Sequence, residues 1–133
     1  MNEHRHIYLA GKVENDLSSV STFADELENR GHTITYKWWE HDCPKPFLAP
    51  ENYALSQAAS LSMEAGVKKS DTFILLAHSA ILGAAIEFGI AMGYNGRRDV
   101  YVVLDDERSS VFYAHPAVQM MDTIDELRKT DWY

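Results

Sequence analysis

Apolar and polar positions change period several times along the chain, and those changes mark out its elements. Residues 6–10 (HIYLA) form a short β-rich run ending at Gly11, and a polar stretch with Asn15 and Asp16 leads to Ser18 or Ser19 as a helix cap. Val20, Phe23, Ala24 and Leu27 then recur at helical spacing until Arg30-Gly31 supplies a cationic last turn and a glycine stop. In residues 32–38 (HTITYKW), Thr33, Thr35 and Lys37 alternate with Ile34 and Tyr36, which predicts a second strand before a proline-bearing loop. Residues 52–69 lack an interior proline and place Ala54, Leu55, Ala58, Leu61 and Ala65 on one broad face, the pattern of a second helix. Residues 72–77 read as a buried third strand, His78 and Ser79 as a turn, and residues 82–94 as a helix closed by the Asn95-Gly96 turn signal. Residues 100–104 (VYVVL) form a buried fourth strand and residues 118–121 a short fifth. Thr123 and Glu126 have the capping-box spacing that opens a terminal helix over 124–129.

Strands that alternate with helices in this way imply right-handed crossovers and a parallel sheet covered on both faces. The expected fold is a single-domain α/β structure, a doubly wound five-stranded parallel sheet of flavodoxin-like type. A chain of 133 residues with 46% apolar content is long enough for one such core and too short for two ordinary domains.

Charge and cysteine usage narrow the function classes. The net charge of -8, from 20 acidic and 12 basic side chains, works against extended nucleic acid and anionic membranes, which are held by clustered Lys and Arg. No apolar run approaches the roughly 20 residues of a membrane span, and the start MNEHRHIYLAGK leads straight into a strand, so neither a signal peptide nor an anchor is expected. The single cysteine, Cys43, excludes an internal disulfide and fits a reducing compartment, which places the protein in the cytoplasm. His4, His6, His32, His41, His78 and His115 follow no metal-binding spacing. With no Gly-x-Gly-x-x-Gly and no Gly-Lys-Ser/Thr loop either, no metal and no cofactor are expected.

Candidate chemistry collects where strands one, two and three end: at Ala10-Gly11, at Trp38-Trp39 and at His78-Ser79. In an open parallel sheet these carboxyl ends face the ligand crevice. Glu87 is the only charge between Leu82 and Gly93, so it is either a solvated surface glutamate or a carboxylate that must find a partner or a ligand. Tyr8 could hydrogen-bond it, or could be an ordinary core tyrosine. The flat rings of Trp38 and Trp39 could stack on a planar group such as a nucleobase, or one could simply be buried. Gly83 allows close approach of a ligand or a strand, and Gly89 is expected on the helix side that presses on the sheet, in a helix buried on most sides. Asp71, at the amino end of its strand, reads as structural.

These residues resemble a family. Tyr8-Leu9-Ala10-Gly11, Ser70-Asp71 and Gly83-x-x-x-Glu87-x-Gly89-x-Ala91 are similar to motifs of the nucleoside 2-deoxyribosyltransferases and the related deoxynucleoside 5'-monophosphate N-glycosidases. The segment Ser110-Val111-Phe112-Tyr113-x-His115-Pro116 is also similar. The resemblance implies cleavage or transfer of the N-glycosidic bond of a small nucleoside or nucleotide through a covalent glycosyl-glutamate intermediate. Glu87 would be the nucleophile and Tyr8 would hold its carboxylate. It also implies a homodimer or larger homo-oligomer whose sites are completed across subunits, with Ser110 the best position for that role. Met63 stands where transferases carry an aspartate, and Ile81 where the family places a sugar- or phosphate-binding side chain. Glu64, His78, Ser79 and Lys12 are therefore the candidates for leaving-group activation and binding, with Arg97 and Arg98 as further cations for a phosphate. The alternatives are a catalytically silent nucleotide-binding or sensor module of the same fold, and an unrelated flavodoxin-like domain in which Glu87 is structural.

Overall fold

The computed structural model describes residues 3–11, 17–41, 43–77, 82–93, 98–104 and 110–133. Five strands form one sheet: β1 (His6–Ala10), β2 (Thr33–Ile34), β3 (Thr72–Ala77), β4 (Asp99–Leu104) and β5 (Val118–Met121). Their order is β2-β1-β3-β4-β5 and every neighbouring pair is parallel. This is the flavodoxin-like order, with its switch point between β1 and β3. The helices are α1 (Leu17–Asn29), α2 (Tyr53–Lys69), α3 (Leu82–Gly93) and α4 (Ile124–Leu127), and short 3-10 turns cover Trp38–Glu40 and Val111–Ala114.

The central strands are apolar on both faces because both faces are covered. Alternate side chains divide them into two cores. On one face Ile7, Leu9, Ile74 and Leu76 pack with Val20, Phe23, Ala24 and Leu27 of α1 and Leu127 of α4. On the other, Tyr8, Ala10, Phe73, Leu75, Val100 and Val102 pack with Val67 of α2 and with Ala84, Phe88 and Ala91 of α3. Helices α2 and α3 therefore lie side by side over the same face of the sheet.

At the amino edge, Asp71 accepts the His6 backbone N–H at 3.1 Å, and Arg5 bonds Thr72 at 3.1 Å and Asp99 at 2.5 Å. Asp71 thus has the structural place expected of it. Gly31, with φ of 97°, is the expected glycine stop after α1. Thr123 caps α4 by accepting from the Glu126 N–H at 3.3 Å.

Several expectations need correction. Helix α1 begins at Leu17, so Ser18 and Ser19 lie within it and do not cap it. Helix α4 ends at Leu127, short of residue 129. Strand β2 spans two residues instead of 32–38. Beyond it the Thr35 hydroxyl donates to Gly66 O at 2.8 Å, Lys37 pairs with Glu28 at 2.7 Å and the Trp38 indole N–H donates to Leu9 O at 2.7 Å. These side-chain bonds carry the chain out of the ladder.

The largest difference concerns the helices over the second core. Ala54, Leu55, Ala58, Leu61 and Ala65 all face solvent, whereas α2 buries Gly66 and Val67. Helix α3 buries only its Ala84, Phe88 and Ala91 side, and Gly83, Ala85, Ile86, Gly89 and Gly93 are exposed. Gly89 therefore points away from the sheet, not onto it.

Candidate functional site

Tyr8 is the third residue of β1, two short of its carboxyl end, so its side chain enters the core about 7 Å below the rim of the sheet. This places it deeper than the strand end where it was expected. The ring is fully buried and lies parallel to that of Phe73, with centroids 5.8 Å apart and planes 2° apart. Gly66 closes the other side. A methyl group there would sit 3.0 Å from Tyr8 Cε2, 3.1 Å from Cδ2 and 2.8 Å from Tyr36 Cβ, so only glycine lets α2 rest on this ring. Held in this slot, the Tyr8 hydroxyl donates a hydrogen bond to Oε2 of Glu87.

Glu87 sits on α3 one turn from Ala84 and next to Phe88, at the margin of the buried side, and remains partly exposed. Burial pushes its carboxyl up to about 7, and the hydrogen bond from Tyr8 pulls the other way. Burial first, and then the facing carboxylate, drive the Tyr8 phenol far up, so it stays a donor throughout the neutral range. A carboxyl poised near neutrality, partly open to solvent and held by a neutral donor, can act as a nucleophile when ionised and as an acid when protonated.

A cavity of about 340 Å³ is lined by Tyr36, Trp38, Trp39, His41, Cys43, Phe47, Ala59 and Met63, and neither Tyr8 nor Glu87 is among its walls. Its size is at the lower end of the range for small-molecule sites, and its walls are mainly aromatic and apolar, as such sites are. Trp38 and Trp39 meet edge to face at 5.5 Å, and Tyr36 stacks on His41 at 4.9 Å. Tyr36 links the two regions, because it lines the cavity and also touches the Gly66 slot that holds Tyr8. Larger concavities, of about 620 and 490 Å³, open at the amino end of the sheet around Glu3 and Arg5, on the side away from the strand ends.

The other candidates divide. Trp38 and Trp39 line the cavity. Gly11 directly follows β1, and a methyl group on it would lie 3.4 Å from Leu76 Cβ, so it packs against β3. Glu64 pairs with Lys68 at 3.6 Å along α2. Among the described residues nothing lies within 4 Å of where a side chain on Gly83 would begin, so it makes no close approach to a described strand residue. Ser110 accepts the Phe112 N–H at 3.2 Å and caps the turn Val111–Ala114. Lys12, His78, Ser79, Ile81 and Arg97 lie outside the described residues. Arg98 donates to Val67 O at 2.8 Å, at the amino end of the sheet.

Sequence reasoning missed Gly66, Tyr36, His41, Phe47 and Ala59. The pairing of aromatic residues 36, 38, 39 and 47 around one proline-bearing loop is the signal that could have drawn attention to them. Among the described residues no group of three or more His, Cys, Asp or Glu side chains could hold a metal ion, and no helix is long and apolar enough to cross a membrane. The fold and pair define an α/β protein of flavodoxin-like strand order with a tyrosine-held carboxyl group. Comparison with known protein families, curated proteins and solved structures finds no match.

Proposed function

We propose that the protein is a nucleoside deoxyribosyltransferase or (deoxy)nucleotide N-glycosidase, acting in the cytoplasm on a small nucleoside or nucleotide. The observation that supports this reading is the hydrogen bond from buried Tyr8 to partly exposed Glu87, with an aromatic cavity that shares Tyr36 with the slot holding Tyr8. The ionised Glu87 oxygen attacks the anomeric carbon, and the carbon–nitrogen bond breaks with its electron pair leaving on the base, which takes up a proton. Water or the nitrogen of a second base then attacks the same carbon, giving up a proton, and the ester bond breaks to return the carboxylate. Tyr8 donates to that carboxylate in the free enzyme and stabilises it as the leaving group of the second step. The rings of Trp38 and Trp39 offer flat faces to the base. As part of the same proposal the site is completed in a homo-oligomer, with Ser110 the residue offered to a neighbouring copy.

The test is base release, followed by HPLC, from purine and pyrimidine deoxynucleosides and their 5'-monophosphates, each with and without a second free base. Release by the wild type that vanishes in Glu87→Ala supports the proposal, and dependence on the added base separates transfer from hydrolysis. The second reading, a silent nucleotide-binding or sensor module, is favoured by Met63, which gives the cavity an apolar wall where transferases carry a carboxylate. Ligand binding without turnover by the folded wild type would select it.

A further inference from the structure

The aromatic cavity is built from ring faces, and several of its polar edges are already engaged. Of the described residues that line it, Tyr36, Trp38, Trp39 and Phe47 are aromatic, Ala59 and Met63 are apolar, and none is a lysine or an arginine. Trp38 and Trp39 stand at 85° to one another, so their indoles present π surface in two directions. The Trp38 N–H, a donor that the edge of a neutral base could use, is committed to Leu9 O at 2.7 Å. Cys43 Sγ lies 3.7 Å from Ser56 Oγ, and the Tyr36 ring is stacked on that of His41 within 9° of parallel. These walls chiefly offer a ligand the faces of rings, and the face of an aromatic ring is its negative side. The chain itself shows what such a face attracts: exposed Lys45 holds its Nζ 5.6 Å from the centroid of Phe47. A lysine head is a compact, strongly hydrated charge on a flexible stem, so it yields a ring face to a flatter and less hydrated cation.

We infer that the aromatic cavity is a binding site for a flat organic cation, an N-alkylated heteroaromatic ring of pyridinium or adeninium type, with Lys45 as its internal competitor. Charge, shape and size all point to that class. The chain carries a net charge of -8, which draws cations toward it, and Glu40, beside Trp39 in the same short turn, is exposed. A delocalised ring cation both stacks on the indoles and is attracted by their faces, where a neutral ring only stacks. A volume of about 340 Å³ accommodates one such ring system with its substituent. Binding of the cation stands on the cavity alone, whereas its chemical consequence rests on the proposed glycosidic function. When a base is already cationic, the breaking carbon–nitrogen bond gives its electron pair to that positive ring, which leaves neutral without taking up a proton. Met63, standing where transferases carry a carboxyl group, is then no obstacle to departure of the base.

Isothermal titration calorimetry on the full chain tests the inference with two pairs of probes. These are 1-methylnicotinamide against nicotinamide, and the 1,9-dimethyladeninium cation against 9-methyladenine. None carries a sugar, so the result is independent of whether the protein cleaves a glycosidic bond. At least one cation is expected to bind ~10-fold or more tightly than its neutral partner, the scale of a desolvated cation–π contact. Trp39→Leu and Phe47→Leu, checked for folding by circular dichroism, are expected to reduce that preference to less than about 3-fold while retaining apolar bulk. Lys45→Gln removes the competing charge and is expected to tighten the cation about 3-fold and leave the neutral probe unchanged. Absence of any preference for a cation in both the wild type and Lys45→Gln overturns the inference. So does a preference that persists in full in both Trp39→Leu and Phe47→Leu.

Discussion

Replacing Gly66 by alanine should disturb the Tyr8–Glu87 pair without touching either residue. The added methyl would lie 2.8 Å from Tyr36 Cβ and 3.0 Å from Tyr8 Cε2, against the roughly 3.5–4.0 Å at which carbon atoms rest. Tyr36 Cβ is tied to the backbone and cannot swing aside, so the strain passes to α2 and to the Tyr8 ring, which Phe73 blocks from behind. Overpacking of this kind costs about 1–3 kcal/mol, offset by about 1 kcal/mol of helix propensity gained over glycine. The net loss of stability is therefore modest, about 0–2 kcal/mol. The effect on the pair is larger in kind. A hydroxyl displaced by about 0.5–1 Å loses much of a charge-assisted hydrogen bond worth about 1.5–3 kcal/mol. That bond holds the Glu87 carboxyl down against its burial, so losing it should raise the Glu87 proton affinity about tenfold, the equivalent of ~1.4 kcal/mol. Carbon-13 NMR of the Glu87 carboxyl across a pH titration reads this directly. Gly66→Ala and Tyr8→Phe should move the midpoint upward together, and Gly89→Ala, whose methyl meets none of the described residues, should leave it in place. An unchanged midpoint in folded Gly66→Ala would refute the claim that Gly66 positions the pair.

Other outcomes follow from the same charges. Glu87 titrates near 7 when folded and near 4.5 when unfolded, so below about pH 4.5 its contribution to stability is fully present, and it is lost as pH rises through 7. Glu87→Gln should therefore be more stable than wild type at about pH 8, by at most about 3 kcal/mol, with the gain gone near pH 4; urea unfolding at the two pH values checks this. If Glu87 acts as the nucleophile, base release should climb with pH through about 7, and a profile falling over that range would instead make the protonated carboxyl the working form. His32 behaves oppositely to a paired histidine. Burial, reinforced by His4, Arg30 and Arg5, lowers its pKa, and its Nδ1 accepts the Arg5 backbone N–H at 3.1 Å. Its contribution is present above the unfolded value of about 6.5 and is lost as pH falls toward the folded one, so His32→Gln should flatten the decline in melting temperature between about pH 7 and pH 5. An equally steep decline in the variant would remove His32 as its source.

The parts of the fold that could be read in the residue pattern are those decided by local period alone. The runs at β3 and β5 coincide with their strands because continuous apolar or β-rich residues bounded by polar ones have few other uses. Strand β2 was misjudged because alternation continues through Tyr36, while the bonds that end the strand, from Thr35 to Gly66 and from Trp38 to Leu9, join residues about thirty apart in sequence. Periodicity also identified α2 as a helix but not the side it buries, since its apolar row is exposed while Gly66 and Val67 are buried. The cavity was half visible, through Trp38 and Trp39. Phe47 and His41 reach it only because the intervening loop is folded back by bonds from Asn52 to Pro46 O and from Ser56 to Phe47 O. Glu87 stands out as the lone charge of an apolar helix and Tyr8 as a phenol able to bond it, a pairing that the family resemblance sharpens, and the contact between them is a matter of three dimensions: the Gly66 slot that aims the phenol has no signature beyond one glycine in a helix.

The indole of Trp38 also fixes how the aromatic cavity can choose what enters. Strand β2 pairs with β1 only as far as Ile7, so the Leu9 carbonyl, next to Tyr8, has no β2 residue opposite it, and the Trp38 N–H takes that place at 2.7 Å. Swinging the ring aside would orphan that carbonyl at a cost of about 1–3 kcal/mol. The wall on this side is thus stiff, anchored to the strand that carries the phenol, whereas the Met63 side can yield. Under the proposed function, an incoming base would have to conform to the tryptophan and would push on the methionine, so that discrimination would arise as exclusion by a rigid template with a compliant side that tolerates differences in width.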